Sequence, residues 1–183
     1  MHEMHQDVER ILYTKEELAA RVKELAEQLK QDYQGKDLVM ACVLRGSYIF
    51  MADLTRAIDL PMTVDFMVVS SYGSGTTSSG QVEIKKDLSD SIEGKHLVIV
   101  EDILDTGNTL YYLMQMLKLR QPASIRICTL MDKPERRKKP IVADYIGFTI
   151  PDAFVVGYGL DYDEKYRNLP YVGILKPSVY SGE

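Results

Sequence analysis

The stretch "LVIVEDILDTGNTL", residues 97–110, joins a run of apolar residues to three acids and then to a turn of small polar residues. A continuous apolar run of this length is typical of a strand that is buried on both faces, as in the parallel sheets of α/β proteins. Ligands of such sheets bind at the carboxyl ends of the strands, where Glu101, Asp102 and Asp105 stand. The stretch therefore predicts a ligand site at the edge of a parallel sheet.

Other apolar runs repeat this pattern along the chain. They lie at 37–44, 62–72, 124–131 and 152–160. Two segments of helix length with an apolar stripe, 47–58 and 108–119, fall between them, and Thr14 with Glu17 forms a capping box that predicts an earlier helix. This alternation predicts an α/β fold with a doubly wound, mainly parallel sheet flanked by helices.

Composition limits the class of protein. The 183 residues, 45% of them hydrophobic, predict a single domain over residues 1–183 with a sizeable core. The net charge of −5 argues against nonspecific DNA binding. Cys42 and Cys128 lie in apolar runs without nearby metal ligands, which indicates buried free thiols in a reducing compartment. Since no apolar run reaches the ~18 residues of a membrane span and the first ten residues are polar, we expect a cytoplasmic protein.

Two segments differ from the alternation. Residues 73–80 are all Gly, Ser or Thr, which predicts a flexible loop over about 71–81 that acts as a lid or as an excursion between two strands. The basic run "KPERRKK", residues 133–139, is expected to be an exposed solvated loop for most of its residues. Its alternative interpretation is a patch that binds nucleic acid.

The turn after the acids has the composition of an anion site. Residues 105–109 supply closely spaced amides, two hydroxyls and a glycine, which suit a phosphate at a helix N-terminus. Two unit charges ~4 Å apart repel by about 4 kcal/mol at an effective dielectric of 20, so the neighbouring carboxylates need an explanation. A Mg²⁺ ion bridging carboxylates and ligand is one, and acids that point to opposite faces of the strand are another. A plain helix cap at Asp105 beside two solvated acids also stays open.

The string "EDILDTGNT" resembles the motif of the type I phosphoribosyltransferase family, in which two acids after an apolar strand precede D-T-G-x-T. Its form is most similar to the hypoxanthine-guanine branch of that family. Further stretches agree in the family's order along nearly the whole chain. They are "LRG" at 44–46, "SSYGSGT" at 70–76, "MDKP" at 131–134 and "IPDAFVVGYGLDYDEKYRNLPYVGIL" at 150–175.

The resemblance implies an activity and partners. It implies transfer of the phosphoribosyl group from phosphoribosyl pyrophosphate to hypoxanthine or guanine, which gives IMP or GMP and pyrophosphate. It also implies Mg²⁺ as cofactor, a homodimer or homotetramer, and a small hood built from the N-terminal segment and residues of about 150–183. No membrane and no nucleic acid is expected as a partner.

The resemblance assigns the acidic turn to sugar, phosphate and base. Asp105 matches the general base at purine N7, while Glu101 and Asp102 match acids near the ribose hydroxyls that can also bind Mg²⁺. The loop for the 5′-phosphate comprises Thr106, Gly107, Asn108 and Thr109.

Other matching residues concern pyrophosphate. Leu44, Arg45 and Gly46 match a loop that contacts pyrophosphate and that can adopt a cis peptide in the family, with Arg45 at a position where relatives often carry lysine. Asp161 matches an acid that binds Mg²⁺ and pyrophosphate, and Arg167 matches a pyrophosphate contact.

The remaining matches concern the purine and the lid. Lys133 matches the donor to the 6-oxo oxygen, Phe154 the ring stacked on the base, and Val155 a backbone contact to its exocyclic edge. Ser71 and Tyr72 match the start of the mobile loop. From apolar context alone, Phe154 would instead be predicted to be a core residue.

Two other functions remain open at this level. A regulator could retain the donor pocket and bind nucleic acid through residues 133–139. A transferase for a pyrimidine is disfavoured by Lys133 and the "FVVGYGLDY" ending.

Overall fold

The computed structural model describes residues 4–71 and 82–181. The strands are β1 Val8–Tyr13, β2 Leu38–Leu44, β3 Thr63–Ser71, β4 Val82–Lys86, β5 His96–Leu104, β6 Ser124–Asp132, β7 Tyr145–Thr149, β8 Val155–Val156 and β9 Val172–Leu175. The α-helices are α1 Lys15–Tyr33, α2 Tyr48–Ala57, α3 Asn108–Lys118 and α4 Pro177–Tyr180. Single 3₁₀ turns cover Met4–Asp7 and Pro134–Arg136.

The main sheet has six described strands in the order β4-β3-β2-β5-β6-β7. All neighbours are parallel except β4, which runs antiparallel to β3. Val100 of β5 pairs with Cys42 of β2 on one side and with Cys128 of β6 on the other, so β5 lies in the middle of the sheet. The predicted mainly parallel α/β sheet is confirmed, and the acidic turn lies at the centre of its carboxyl edge.

Helices cover both faces of this sheet, because strand side chains alternate between two cores. Met40 and Cys42 of β2 pack with α1 and α2, whereas Val39 and Ala41 pack with α3. Both cysteines are buried and free, as predicted. Burial raises the pKa of Cys42 to about 11, so this thiol stays protonated at neutral pH.

The first helix begins where the capping box predicted. The Glu17 amide donates to the Thr14 hydroxyl over 3.2 Å, and the Thr14 amide donates to the Glu17 carboxylate over 2.8 Å. Within the described residues, no helix is both long and apolar enough to cross a membrane. The lid was predicted over about 71–81; Ser71 ends β3, and the rest of that range lies outside the described residues.

A second, three-stranded sheet in the order β1-β9-β8 is antiparallel and forms the expected hood from both terminal segments. The Tyr158 hydroxyl ties it to α2 by donating to Asp53 over 2.6 Å. The predicted strand over 152–160 is wrong for most of its length, because only Val155–Val156 is strand. Gly157 and Gly159 have φ of +97° and +105°, which bends the chain into turns that end the strand.

Candidate active site

The turn between β5 and α3 contains the first amides of a helix, of which that of Asn108 makes a long hydrogen bond of 3.4 Å to the Thr106 hydroxyl. Gly107 occupies the N-cap position with φ of +80°, and no side chain caps the helix. The first amides of a helix have no partner within the helix and point outward, together with the positive end of the helix dipole. A Cβ at Gly107 would come within 2.6 Å of Ile141. The turn therefore has the geometry that an anion requires, and glycine is needed for its shape.

Arg137 supports this turn from behind. Its guanidinium donates to the carbonyls of Asp105 over 3.0 Å, Leu104 over 3.2 Å and Ile141 over 2.6 Å, and it forms an ion pair with Asp132. Its side chain is only 16% exposed. The prediction of a solvated loop is therefore wrong for Arg137, which instead fixes the backbone beneath the acidic turn.

Two carboxylates lie side by side at the end of β5. Burial, followed by the charge of Asp102, raises the pKa of Glu101 well above its ordinary value, and burial also raises the pKa of Asp102. Among the described residues, neither has a Lys, Arg or His nitrogen within ion-pair distance. A divalent cation would relieve this concentration of negative charge. The described residues contain no group of three or more His, Cys, Asp and Glu that could hold a metal alone, so ligand and water oxygens would complete the shell, as Mg²⁺ prefers.

The first cleft, of about 350 Å³, opens above this turn. Its lining includes Leu44, Arg45, Gly46, Glu101, Asp102, Asp105, Thr106, Gly107, Asn108, Thr109, Asp161 and Arg167. The Leu44–Arg45 peptide bond is cis. A side chain at Gly46 would overlap the Asp102 carboxylate, and one at Gly159 would overlap the Gly46 carbonyl oxygen. These glycines let the loop after β2 approach both the acids and the hood closely.

Four residues of alternating charge form what we call the first ionic chain: Arg45, Glu164, Arg167 and Asp161. Arg45, Arg167 and Asp161 line the first cleft, and Glu164 links the two arginines. The guanidinium of Arg45 lies 3.0 Å from Glu164, and that of Arg167 lies 3.3 Å from Glu164 and 3.0 Å from Asp161. Arg167 also donates to the Gly159 carbonyl over 2.8 Å. Its buried Nε has no hydrogen-bond partner among the described residues, so this guanidinium retains a free donor.

The second cleft, of about 480 Å³, adjoins the first and shares Asp102, Ile103, Asp105 and Asp161 with it. It is further lined by Lys133, Arg136, Asp152, Ala153, Phe154, Val155, Leu160 and Tyr180. Phe154 is 39% exposed, so its ring is not a core residue as apolar context suggested. The Tyr180 ring stacks on it with centroids 4.9 Å apart. The cleft combines an aromatic surface with charged groups at its rim, which suits a flat heterocycle.

A second set of alternating charges crosses this cleft, and we call it the second ionic chain: Asp105, Arg136, Asp152 and Lys133. Arg136 Nε lies 2.9 Å from Asp105 Oδ1, Arg136 Nη1 lies 3.3 Å from Asp152, and Lys133 Nζ lies 3.7 Å from Asp152. Lys133 is 7% exposed and also donates to the Ala153 carbonyl over 2.6 Å. The chain links an acid at the sheet edge to a buried ammonium group.

The structure brings the predicted site residues to these two adjoining clefts, except Ser71 and Tyr72. Ser71 is the last residue of β3, and Tyr72 lies outside the described residues. Sequence reasoning missed Arg136 and Asp152, which line the second cleft, and Glu164, which pairs with two arginines of the first cleft. They stand in charged loops without a distinctive spacing, and the only available signal was a position just after a strand or in the tyrosine-rich ending.

A parallel sheet with an uncapped helix start and partly buried acids at its carboxyl edge, next to an aromatic cleft, is typical of an α/β enzyme that acts on a phosphorylated ligand and a heterocycle. The model of the phosphoribosyl transferase domain family matches residues 9–163. The chain therefore belongs to the phosphoribosyltransferase family, and its relatives are of the hypoxanthine-guanine branch, which confirms the resemblance.

Those relatives match nearly from end to end. A hypoxanthine-guanine phosphoribosyltransferase from Streptococcus thermophilus is 52% identical over 97% of this chain and 99% of its own length. One from Streptococcus pyogenes is 54% identical with the same coverage of both chains. The crystal structure of a hypoxanthine phosphoribosyltransferase from Staphylococcus aureus is 55% identical and has a TM-score of 0.94, covering 97% of this chain and 96% of that one.

Proposed function

We propose that this enzyme transfers the phosphoribosyl group of phosphoribosyl pyrophosphate to hypoxanthine or guanine in purine salvage, with Mg²⁺ as cofactor and IMP or GMP and pyrophosphate as products. The observation that carries the proposal is the pair of adjoining clefts that share Asp102 and Asp105. One cleft has the uncapped helix start for a phosphate, and the other has the aromatic ring and buried lysine for a base. A donor and a purine in these clefts would meet above the acidic turn.

The first cleft suits the donor. The amides of residues 106–109 would bind the 5′-phosphate, and the hydroxyls of Thr106 and Thr109 would add hydrogen bonds. Glu101 and Asp102 would hold the ribose hydroxyls and favour positive charge on the sugar ring in the transition state. Arg45 and Arg167, together with the loop at Leu44 to Gly46, would neutralise the pyrophosphate.

Glu101, Asp102 and Asp161 line the first cleft and are the residues that would hold Mg²⁺, with water and ligand oxygens supplying most of its contacts, because the described acids do not converge as a group of three. The unneutralised pair at the end of β5 is the observation that supports this assignment. A bound Mg²⁺ supplies charge neutralisation for the leaving pyrophosphate. Asp161 already pairs with Arg167 over 3.0 Å, so a guanidinium that could contact pyrophosphate lies beside this proposed Mg²⁺ ligand.

The second cleft suits a 6-oxopurine. Phe154 would stack on the base and the Val155 backbone would face its exocyclic edge, with Ile103 among the other lining residues. Lys133 would donate to the 6-oxo oxygen, which selects against an amino group at that carbon. Asp105 would accept the N7 proton as the purine N9 attacks the sugar carbon and its bond to pyrophosphate breaks.

Nucleotide and pyrophosphate formation tests the proposal. Incubation with phosphoribosyl pyrophosphate, Mg²⁺ and either hypoxanthine or guanine should release pyrophosphate and IMP or GMP. Absence of product with both purines would refute it. The regulator hypothesis predicts donor binding without turnover and a salt-dependent nucleic-acid complex. It is disfavoured because the ion pairs of Arg136 and Arg137 neutralise part of the basic run.

We also propose that residues 1–183 act as one catalytic domain, because both sheets contribute residues to the clefts. The homodimer or homotetramer implied by the resemblance stays a prediction, which light scattering of the purified protein tests.

A further inference from the structure

We propose that Arg136 and Asp152 are positioning residues for the purine, which together fix the orientation of Asp105 and Lys133. This inference rests on the proposed function, since Asp105 and Lys133 are the groups proposed to contact purine N7 and the 6-oxo oxygen. Nothing in the motif of the turn includes Arg136 or Asp152. Arg136 and Asp152 are linked to Asp105 of that turn through the ion pairs of the second ionic chain.

The two oxygens of Asp105 have different environments. Oδ1 is buried, makes no hydrogen bond of good geometry and lies 2.9 Å from the Arg136 guanidinium. The side chain as a whole is 36% exposed, so the accessible carboxylate oxygen is Oδ2. An ion pair at Oδ1 restricts rotation of the carboxylate and leaves Oδ2 to face the cleft. That is the orientation in which one oxygen can accept a proton from a bound heterocycle.

Asp152 connects this arrangement to the lysine. It lies 3.3 Å from Arg136 and 3.7 Å from Lys133, and it is half exposed at the rim of the second cleft. Lys133 has a second constraint from the Ala153 carbonyl over 2.6 Å. Asp152 therefore restrains Lys133 directly and Asp105 through Arg136, and these are the two groups that would contact neighbouring atoms on one edge of the purine.

These ion pairs are not primarily a source of fold stability. Exposed ion pairs contribute little to the free energy of unfolding, and Arg136 and Asp152 are 46% and 50% exposed. Geometry, by contrast, has a steep effect on a proton transfer, because a displaced acceptor lowers the rate even when it still binds. Loss of either residue should therefore affect purine turnover much more than melting temperature.

The test compares Arg136→Gln, Arg136→Lys, Asp152→Asn and the double variant Arg136→Gln/Asp152→Asn with wild type. We expect kcat/KM for hypoxanthine to fall about five- to twentyfold in each glutamine or asparagine variant, with KM for phosphoribosyl pyrophosphate within about twofold of wild type. The double variant should lose little more than either single variant, because both break one linkage. Arg136→Lys should recover part of the loss.

Lys30→Gln serves as the matched control, because it breaks an exposed ion pair with Asp59, 3.2 Å long, that lines neither cleft. It should leave both KM values unchanged. An equal loss for donor and purine, a fall in melting temperature that accounts for the loss, or additive effects in the double variant would overturn the inference. If wild type forms no nucleotide from either purine, the proposed function fails, and this inference fails with it. If wild type is active and the variants match it, only this inference fails.

Discussion

The two ionic chains are alike in composition and differ in what they surround. Each contains two carboxylates and two cationic side chains in alternation, and each contributes residues to a cleft that the acidic turn also lines. The first ionic chain holds its arginines through Glu164, a residue of an exposed turn, and leaves a buried guanidinium nitrogen without a partner. The second ionic chain holds a carboxylate through Arg136 and leaves one of its oxygens accessible. One chain therefore offers free donors, and the other offers a free acceptor.

This difference agrees with the chemistry proposed for the two clefts. A pyrophosphate group carries several negative charges and needs cations that can exchange partners, which the exposed ion pair of Arg45 and Glu164 allows. A purine is neutral and needs an acceptor and a donor at fixed positions. Similar sets of charged residues can therefore serve ligand binding in one cleft and side-chain orientation in the other.

The largest expected effect is on the acceptor of the second ionic chain. Asp105→Asn should reduce kcat by ~10²-fold or more, the usual range for a lost general base, while donor binding changes little. Single-turnover kinetics with saturating donor, and donor affinity from calorimetry, measure the two effects. An equal loss of affinity for phosphoribosyl pyrophosphate would assign Asp105 to metal binding or structure. It would contradict the contrast drawn between the two ionic chains.

Lys133, at the other end of the second ionic chain, should affect the reaction rate less than Asp105 and the choice of purine more. Lys133→Gln should lower kcat/KM for hypoxanthine by about ten- to a hundredfold, since it removes a charged hydrogen bond to the 6-oxo oxygen. An amide can also accept a hydrogen bond, so discrimination against adenine should weaken. The ratio of kcat/KM for hypoxanthine to that for adenine checks this, with Lys138→Gln as control because Lys138 is exposed in the same loop and lines neither cleft. An unchanged ratio would mean that Lys133 does not distinguish a 6-oxo from a 6-amino group.

Sequence patterns predicted those strands and helices that are determined by the local sequence. The run at 96–104 was predicted as a strand and is β5, because its apolar residues and following turn leave no competing structure. The strand over 152–160 was wrong because left-handed glycines override its apolar character. The predicted site residues belong to linear motifs, whereas Arg136 and Asp152 come together only because β6 and β7 are neighbours in the sheet. Such a pair depends on strand order, which periodicity does not encode.

The smallest expected effect concerns Glu164, which links Arg45 to Arg167. Its carboxylate occupies the guanidinium groups that are proposed to bind pyrophosphate, at 3.0 and 3.3 Å, so pyrophosphate has to displace it. Glu164→Gln removes this competing charge and should tighten pyrophosphate binding by about two- to fivefold, the scale of an exposed ion pair. Product inhibition by pyrophosphate measures the change, and hypoxanthine KM should stay constant.

Asp163→Asn is the matched control for that prediction, because Asp163 belongs to the same turn but pairs with Lys165 over 3.4 Å rather than with either arginine. It removes the same unit of negative charge from nearly the same place. If both variants tighten pyrophosphate equally, the effect is one of overall charge, which added salt would screen. If only Glu164→Gln does so, the carboxylate competes directly for the guanidinium groups, and the first ionic chain is a set of exchangeable contacts.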